Sequence, residues 1–331
     1  MSFKRFDPQD VVVSSDAVTA PAWSNNTVIL ETFESSNTQT AAESGKYYYH
    51  VFNTGSASTS AAVQFSVAHG NRIENGAPRY DASVTGSYSR TVYGQFRTLV
   101  FGDEETNFTF ESGTITRTPE NVLFIAVERA RYKESIFPGS LDLKISGSTA
   151  DSLRLTDNSL TASTDTFVDG GRVFSIFSGS NGGVVNSGIE YGKLFPDIGV
   201  LAFDGDLLSS SNHVIISGST VSNFTADNNN SLWFKALATG SYFQLRSQET
   251  LSSNYVFIRA RNSEFNYSNN PSNITGSGEL RHSVMIDNPQ AYITSIGMYN
   301  DSNDLLAVAK LSTPLIKDFT KEALLRVKLD Y

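Results

Sequence analysis

Carboxylates lying close together are the first residues in this chain that could do chemistry. Gly102-Asp103-Glu104-Glu105 lies between Leu99-Val100-Phe101 and Phe108-Thr109-Phe110, and Asp204-Gly205-Asp206 offers a second Asp-x-Asp start. Such groups on a turn can hold calcium or act as an acid/base pair. Calcium, however, takes roughly six to eight oxygens, and the later ligands of an EF-hand loop are missing after Asp206. Both runs therefore read as solvated turns. The four histidines, His50, His69, His213 and His282, show no i, i+4 pairing and no carboxylate cluster at metal-ligand spacing. There is no Gly-x-Ser-x-Gly elbow. Gly179-Ser180-Asn181-Gly182-Gly183 lacks the Lys and the following helix of a phosphate loop, so it reads as a tight turn. Tyr47-Tyr48-Tyr49 could stack on sugar rings, but alternation along a strand puts Tyr47 and Tyr49 on one face and Tyr48 on the other, and at least one face should be core. The expectation is a protein that is not an enzyme and needs no cofactor and no metal.

The bulk composition narrows the partners. The chain has 331 residues, 22 Phe, 14 Tyr, no Cys and a formal charge of −9. Zero cysteines exclude disulfides, thiolate catalysis and Cys-bound zinc, and mildly favour synthesis in the cytosol. An acidic chain repels phosphate backbones, so no nucleic-acid partner is expected. No run approaches the roughly 20 apolar residues that span a bilayer, and Met1-Ser2-Phe3-Lys4-Arg5-Phe6-Asp7-Pro8 has no apolar stretch behind its basic residues, so no membrane partner or leader is expected. Sequons at Asn107, Asn223 and Asn273 are no more than an Asn/Ser/Thr-rich chain gives by chance.

These residues are carried by short β-prone runs separated by turn residues. Strands are expected at Val28–Phe33, Tyr47–Phe52, Ala62–Val67, Val92–Phe101, Val122–Val127, Leu141–Ile145, Arg172–Phe177, Ile198–Phe203 and His213–Ile216, with a short helix at Leu232–Leu237. Tyr242–Arg246, Tyr255–Arg261, Tyr292–Met298, Leu305–Ala309 and Leu324–Leu329 complete the series, and Tyr299-Asn300-Asp301-Ser302-Asn303-Asp304 is a hairpin turn. The pattern predicts an all-β protein: two β-sandwich or barrel-like domains of short antiparallel strands with an extended N-terminal arm. The Ser/Thr/Asp-rich stretch from Ser146 to Leu160 marks the boundary, giving an arm over 1–24, a β domain over 25–150 and a second over 151–331.

Interface candidates follow from the same pattern. Val11, Val12 and Val13 form a short sticky run that leads to Trp23; it is either an edge strand of its own domain or a segment that docks on a neighbouring subunit. Phe265 and Tyr267, in Phe265-Asn266-Tyr267-Ser268-Asn269-Asn270-Pro271, are spaced as ring anchors, or else belong to a strand end with its rings in the core.

Several stretches resemble virion structural proteins of contractile-tailed bacteriophages, notably those of marine cyanobacterial myophages. They are Tyr93-Gly94-Gln95-Phe96-Arg97-Thr98-Leu99-Val100-Phe101-Gly102-Asp103-Glu104-Glu105 with Arg129-Ala130-Arg131-Tyr132-Lys133-Glu134, then Tyr191 to Asp197, Phe265 to Pro271, and the run from Asn288-Pro289-Gln290 to Tyr331. The resemblance covers most of the chain after about residue 90 and carries no functional residues. It implies a structural subunit of a phage particle, associated with the tail or baseplate and assembled in the host cytoplasm, whose partners are other virion proteins and copies of itself. The competing expectation is a receptor- or carbohydrate-binding module of a tail fibre or adhesin.

Overall fold

A computed structural model of the chain describes residues 5, 8–31, 47–73, 88–147, 152–164, 166–214, 216, 228–268 and 270–330. In chain order the strands are β1 (Val11–Pro21), β2 (Ile29–Leu30), β3 (Tyr49–Phe52), β4 (Val63–Asn71), β5 (Phe110–Ser112), β6 (Ile115–Arg117) and β7 (Asn121–Val127). Then come β8 (Ser135–Ile136), β9 (Asp142–Ile145), β10 (Leu153–Asp157), β11 (Thr166–Val168), β12 (Gly171–Ser180), β13 (Gly183–Asn186), β14 (Gly192–Phe195) and β15 (Val200–Asp204). The last are β16 (Tyr242–Gln244), β17 (Arg246–Ala260), β18 (Ala291–Tyr299), β19 (Leu305–Lys317) and β20 (Ala323–Asp330). Helices are few: α1 (Tyr88–Phe101), α2 (Arg129–Tyr132), α3 (Gly205–Ser210), α4 (Asn228–Gly240) and α5 (Val284–Asp287). The protein is all-β, built on antiparallel sheets.

Contacts divide the chain into a larger unit, Val18–Glu249, and a smaller one, Met1–Ala17 with Thr250–Tyr331. That division differs from a boundary at 150. The strands on either side of the Ser/Thr-rich stretch, β9 and β10, are antiparallel neighbours, with Leu153 opposite Ile145 and Leu155 opposite Leu143. A polar loop there joins two strands of one sheet. Residues 148–151 of that loop lie outside the described residues, as do Phe33, Ile215, residues 74–79 after the third expected strand and the polar residues Ala226-Asp227.

In the larger unit one sheet runs in the order β2-β16-β9-β10-β12-β14-β15-β7-β4-β3. Its centre is β7, whose unbroken apolar run marks a strand covered on both faces. Leu123 and Ile125 face one buried cluster with Phe65, Phe203, Trp233 and Phe243. Val122 and Phe124 face a second with Tyr93, Phe108 and Phe195. Helix α4 lies on the first side, where Trp233 Nε1 donates to the Phe124 carbonyl over 3.1 Å. Helix α1 lies on the second, with Phe96 stacked on Phe124 at 4.2 Å between ring centroids.

The segment expected as a strand at Val92–Phe101 is therefore part of helix α1. Its Val, Thr, Tyr and Phe residues favour strands, but Val92, Tyr93, Phe96 and Val100 repeat at three to four residues, the spacing of one helix face. All but the half-buried Phe96 are completely or nearly buried. Tertiary packing overrides composition here: a Cβ on Gly70 of β4 would meet Phe124 Cε2 at 2.8 Å and Tyr93 Cα at 3.1 Å, so the helix backbone approaches the sheet closely. The expected helix over Leu232–Leu237 lies within α4. The glycine-rich run at 179–183 is a two-residue hairpin between β12 and β13, with Asn181 at φ 49° and Gly182 at φ 73°.

The smaller unit is more lightly packed. Residues 253–260 of β17 pair with β20, Val256 opposite Val327 and Ala260 opposite Ala323, and these four side chains are buried. Strand β1 is the neighbour of β17 in the order β1-β17-β20, so Val11–Val13 belong to an edge strand of their own chain. Strands β18 and β19 form a two-stranded sheet of their own around the turn expected at Tyr299–Asp304. Asn303 takes φ 64° there, and Asn300 Oδ1 accepts from Asp304 N at 2.7 Å. At the end of β19, Lys317 is completely buried; its Nζ donates to Asn262 O, Asn266 Oδ1 and the Asp318 carbonyl at 3.2, 2.6 and 3.0 Å. All three ammonium donors are thereby used, and the 262–266 loop is tied to the hairpin.

Candidate interaction surface

The groups with catalytic potential are held in local structural roles. Asp103 accepts from Glu105 N at 2.7 Å and from Thr106 N and Oγ1 at 2.6 and 2.7 Å, which lowers its pKa and folds the turn around its own carboxylate. Asp204 is the N-cap of α3, accepting from Leu207 N, with Arg117 Nε 3.4 Å away. Burial raises the Asp204 pKa, and the charge of Asp206 adds to that, against the Leu207 backbone bond and the Arg117 charge. Asp206 accepts from Glu120 N and from Asn121 Nδ2 at 2.7 Å each. The two aspartates thus serve different backbone and amide donors. His50 bonds Ser66 Oγ and His69 bonds Asn121 Oδ1, each at 2.9 Å, and burial lowers the His50 pKa against a raising influence from Glu128. Among the described residues no group of three or more His, Asp or Glu side chains could hold a metal.

The tyrosine run also resolves into packing. Tyr49, on β3, packs against the first core cluster and Tyr47 against the second. Tyr48 meets His50 at 4.8 Å and His50 meets Phe52 at 6.2 Å, both edge-on at 65° and 72°. Edge-on rings do not make the flat platform on which a pyranose would stack. An open depression in the same unit, lined by Asn25, Thr27, Glu31 and Asn53 among others, brings a single carboxylate to its wall.

The interface candidates separate by burial. Val11, Val12 and Val13 are exposed to 37%, 49% and 69%. Trp23 is corrected: it is 1% exposed, packed against Phe65 and Phe243, and its Nε1 donates to the Phe243 carbonyl, so it is core of the larger unit and no surface anchor. Phe265 is half-buried at φ 54°, and Tyr267 two residues on is 58% exposed. Asn266 between them is buried on Lys317, so the loop holds Tyr267 outward on a fixed base.

The β18–β19 hairpin is a further apolar surface, not among the interface candidates of the sequence. Tyr292, Leu305, Leu306 and Val308 are 61%, 53%, 68% and 61% exposed. Register places Gly297 opposite Val308 and Tyr299 opposite Leu305 on one face, with Ile296 opposite Ala309 and Met298 opposite Ala307 on the other. Both faces are thus apolar, and the only charged residues from Ala291 to Lys317 are Asp301, Asp304, Lys310 and the buried Lys317. The signal lay in the unbroken run Leu305-Leu306-Ala307-Val308-Ala309, which cannot alternate. Residues 250–331 carry eight basic and eight acidic side chains, so this segment is formally neutral within an acidic chain. No protein-family model, no curated protein and no solved structure matches this chain.

Proposed function

We propose that this protein is a non-enzymatic structural subunit of a phage particle, in the tail or baseplate, that works by burying the apolar surface of its smaller unit against copies of itself and other virion proteins. The observation that carries this is the hairpin. A two-stranded ribbon is marginal in water, and this one leaves large apolar side chains outside on a segment with no net charge to keep copies apart. The phage assignment is supported by the resemblance of the stretches after residue 90, including the whole hairpin.

The test is the mass of the purified chain by sedimentation, beside a Leu306→Lys/Val308→Lys variant. The wild type should self-associate with rising concentration, and the variant should remain a folded monomer. A wild type that stays monomeric at its solubility limit would count against self-assembly, and absence of the chain from density of a phage particle would count against the phage assignment.

A further inference from the structure

The two outer edges of the hairpin are not equivalent. Among the described residues β18 and β19 pair only with each other, so neither outer edge has a partner strand there. Edges that must stay unpaired carry charge, proline or bulges, and β19 has all three. Lys310 is charged, and Pro314 has no N–H to donate. From Ile293 to Ser295 the partner on β19 jumps from Leu315 to Lys310, so the extra residues, Pro314 among them, belong to β19. From Met298 to Tyr299 it jumps from Ala307 to Leu305, and the extra residue, Leu306, is again on β19. The other outer strands of the smaller unit are charged as well: β1 carries Asp16, and β20 carries Arg326, Lys328 and Asp330. Strand β18 has no charged residue and no proline.

Strand β18 also complements itself. Two copies set antiparallel about a two-fold axis at Ser295 overlap along the whole nine-residue strand, about 30 Å. Ala291 of one copy then faces Tyr299 of the other, and Ile293 faces Gly297, each a large residue against a small one. Tyr292 faces Met298, a ring against a soft sulfur, and Thr294 faces Ile296, both β-branched. A Cβ on Gly297 would meet Tyr299 Cε2 at 2.9 Å, so the Tyr299 ring already covers the surface that the glycine leaves bare. No like charges meet in this register, and residues 250–331, with eight basic and eight acidic side chains, supply no net repulsion.

We propose that two copies of this chain join β18 to β18, antiparallel about a two-fold axis at Ser295, into one four-stranded sheet. The contact is a specific form of the self-association proposed above and depends on it. A two-stranded ribbon is marginal in water, whereas three or more strands with an apolar face are stable. Backbone hydrogen bonds along the added edge give affinity, and the facing side chains give register. Because the two-fold contact uses the same strand on both copies, it closes on itself and leaves the proline-bearing β19 strands outermost.

Single-cysteine cross-linking of the full chain tests the pairing, since the chain has no cysteine of its own. Ser295 and Ser312, on β18 and β19, are both exposed. Directly opposed residues of an antiparallel pair have Cα atoms about 4.5–5.5 Å apart, within the span of a disulfide. Under mild oxidation Ser295→Cys is expected to give a disulfide-linked dimer at least tenfold faster than Ser312→Cys. Hydrogen exchange of the wild type, which needs no substitution, should show amide protection across 291–299 rising with concentration. Equal rates for the two variants, or faster linkage through Ser312→Cys, overturn the choice of edge. Protection without the Ser295→Cys disulfide overturns the axis at Ser295. A wild type that self-associates with neither signal overturns the pairing alone and leaves self-assembly standing; a wild type that stays monomeric overturns both.

Discussion

Replacing Trp23 by Ala separates a core residue from a docking anchor. The side chain is 1% exposed, sits 5.8 Å from the Phe65 ring and 5.0 Å from the Phe243 ring, and donates to the Phe243 carbonyl at 3.0 Å. Removing a buried aromatic of this size costs about 3–5 kcal/mol through lost transfer energy and the cavity left behind. Trp23→Phe retains a ring for Phe65 and Phe243 but strands the carbonyl, for about 1–3 kcal/mol. Val13→Ala, at 69% exposure, should stay within about 0.5 kcal/mol. The assay is urea unfolding followed by tryptophan emission. Trp23 and Trp233 are both buried in the larger unit, so the signal reports that unit. The same reasoning says that cutting residues 1–22 damages the fold, because Ala22 N donates to Leu245 O and Ser247 Oγ to Ala20 O. A loss below about 1 kcal/mol for Trp23→Ala with native emission, or lost self-association at unchanged stability, would refute the core assignment.

Asp197 gives a pH signature. Burial pushes its pKa up, but the Arg172 bonds at 2.6 and 2.8 Å and the guanidinium charge outweigh this and hold it below the ordinary 3.8. A depressed carboxylate contributes stability above its unfolded pKa that is lost as pH falls through the lower folded one. Asp197→Asn should thus be less stable than wild type at neutral pH, with the gap closing on acidification below about pH 4; a gap that persists in acid, read by thermal unfolding, refutes it. Arg154→Met leaves the fully buried Asp142 without its bidentate partner, and among the described residues only Asn181 N at 3.1 Å remains. Because Arg154 is 45% exposed, the loss should fall at or below the low end of the about 3–5 kcal/mol for breaking a buried pair. Arg154→Met/Asp142→Leu should recover much of it, and a double variant no better than the single would refute the pairing argument. Self-association through the hairpin should hold or strengthen in sulfate salts; sedimentation showing dissociation as salt rises would point to charge pairing instead.

How much of this was legible in the sequence depended on whether local pattern and tertiary environment agree. The β18–β19 hairpin was, since two β-prone apolar runs flanking an Asn/Asp-rich turn specify it without help from the rest of the chain. Helix α1 was not, because its residue types favour strands and only the spacing of Val92, Tyr93, Phe96 and Val100 gives the period away. Strand β10 was hidden inside a polar stretch, although Leu153 and Leu155 alternate with Arg154 and Thr156.

The two units differ in where their apolar surface goes. In the larger one, β7 buries both faces and Asp142 and Asp197 are matched by Arg154 and Arg172, while single apolar side chains such as Phe167 and Val185 stay exposed. In the smaller one, Lys317 meets its donors with three oxygens, yet Leu305, Leu306, Val308 and Tyr292 remain in water. Unfavourable exposure of that kind is relieved only by another surface, and a formally neutral segment offers no long-range repulsion to a second copy. For the self-association proposed above, the available force is apolar burial, which gives no preferred orientation by itself. Register must come from geometry: the backbone of the β18–β19 edges, the bulged pairing at Ile293/Ser295 and Met298/Tyr299, and the isolated charge of Lys310, which only an apposed carboxylate or solvent can satisfy.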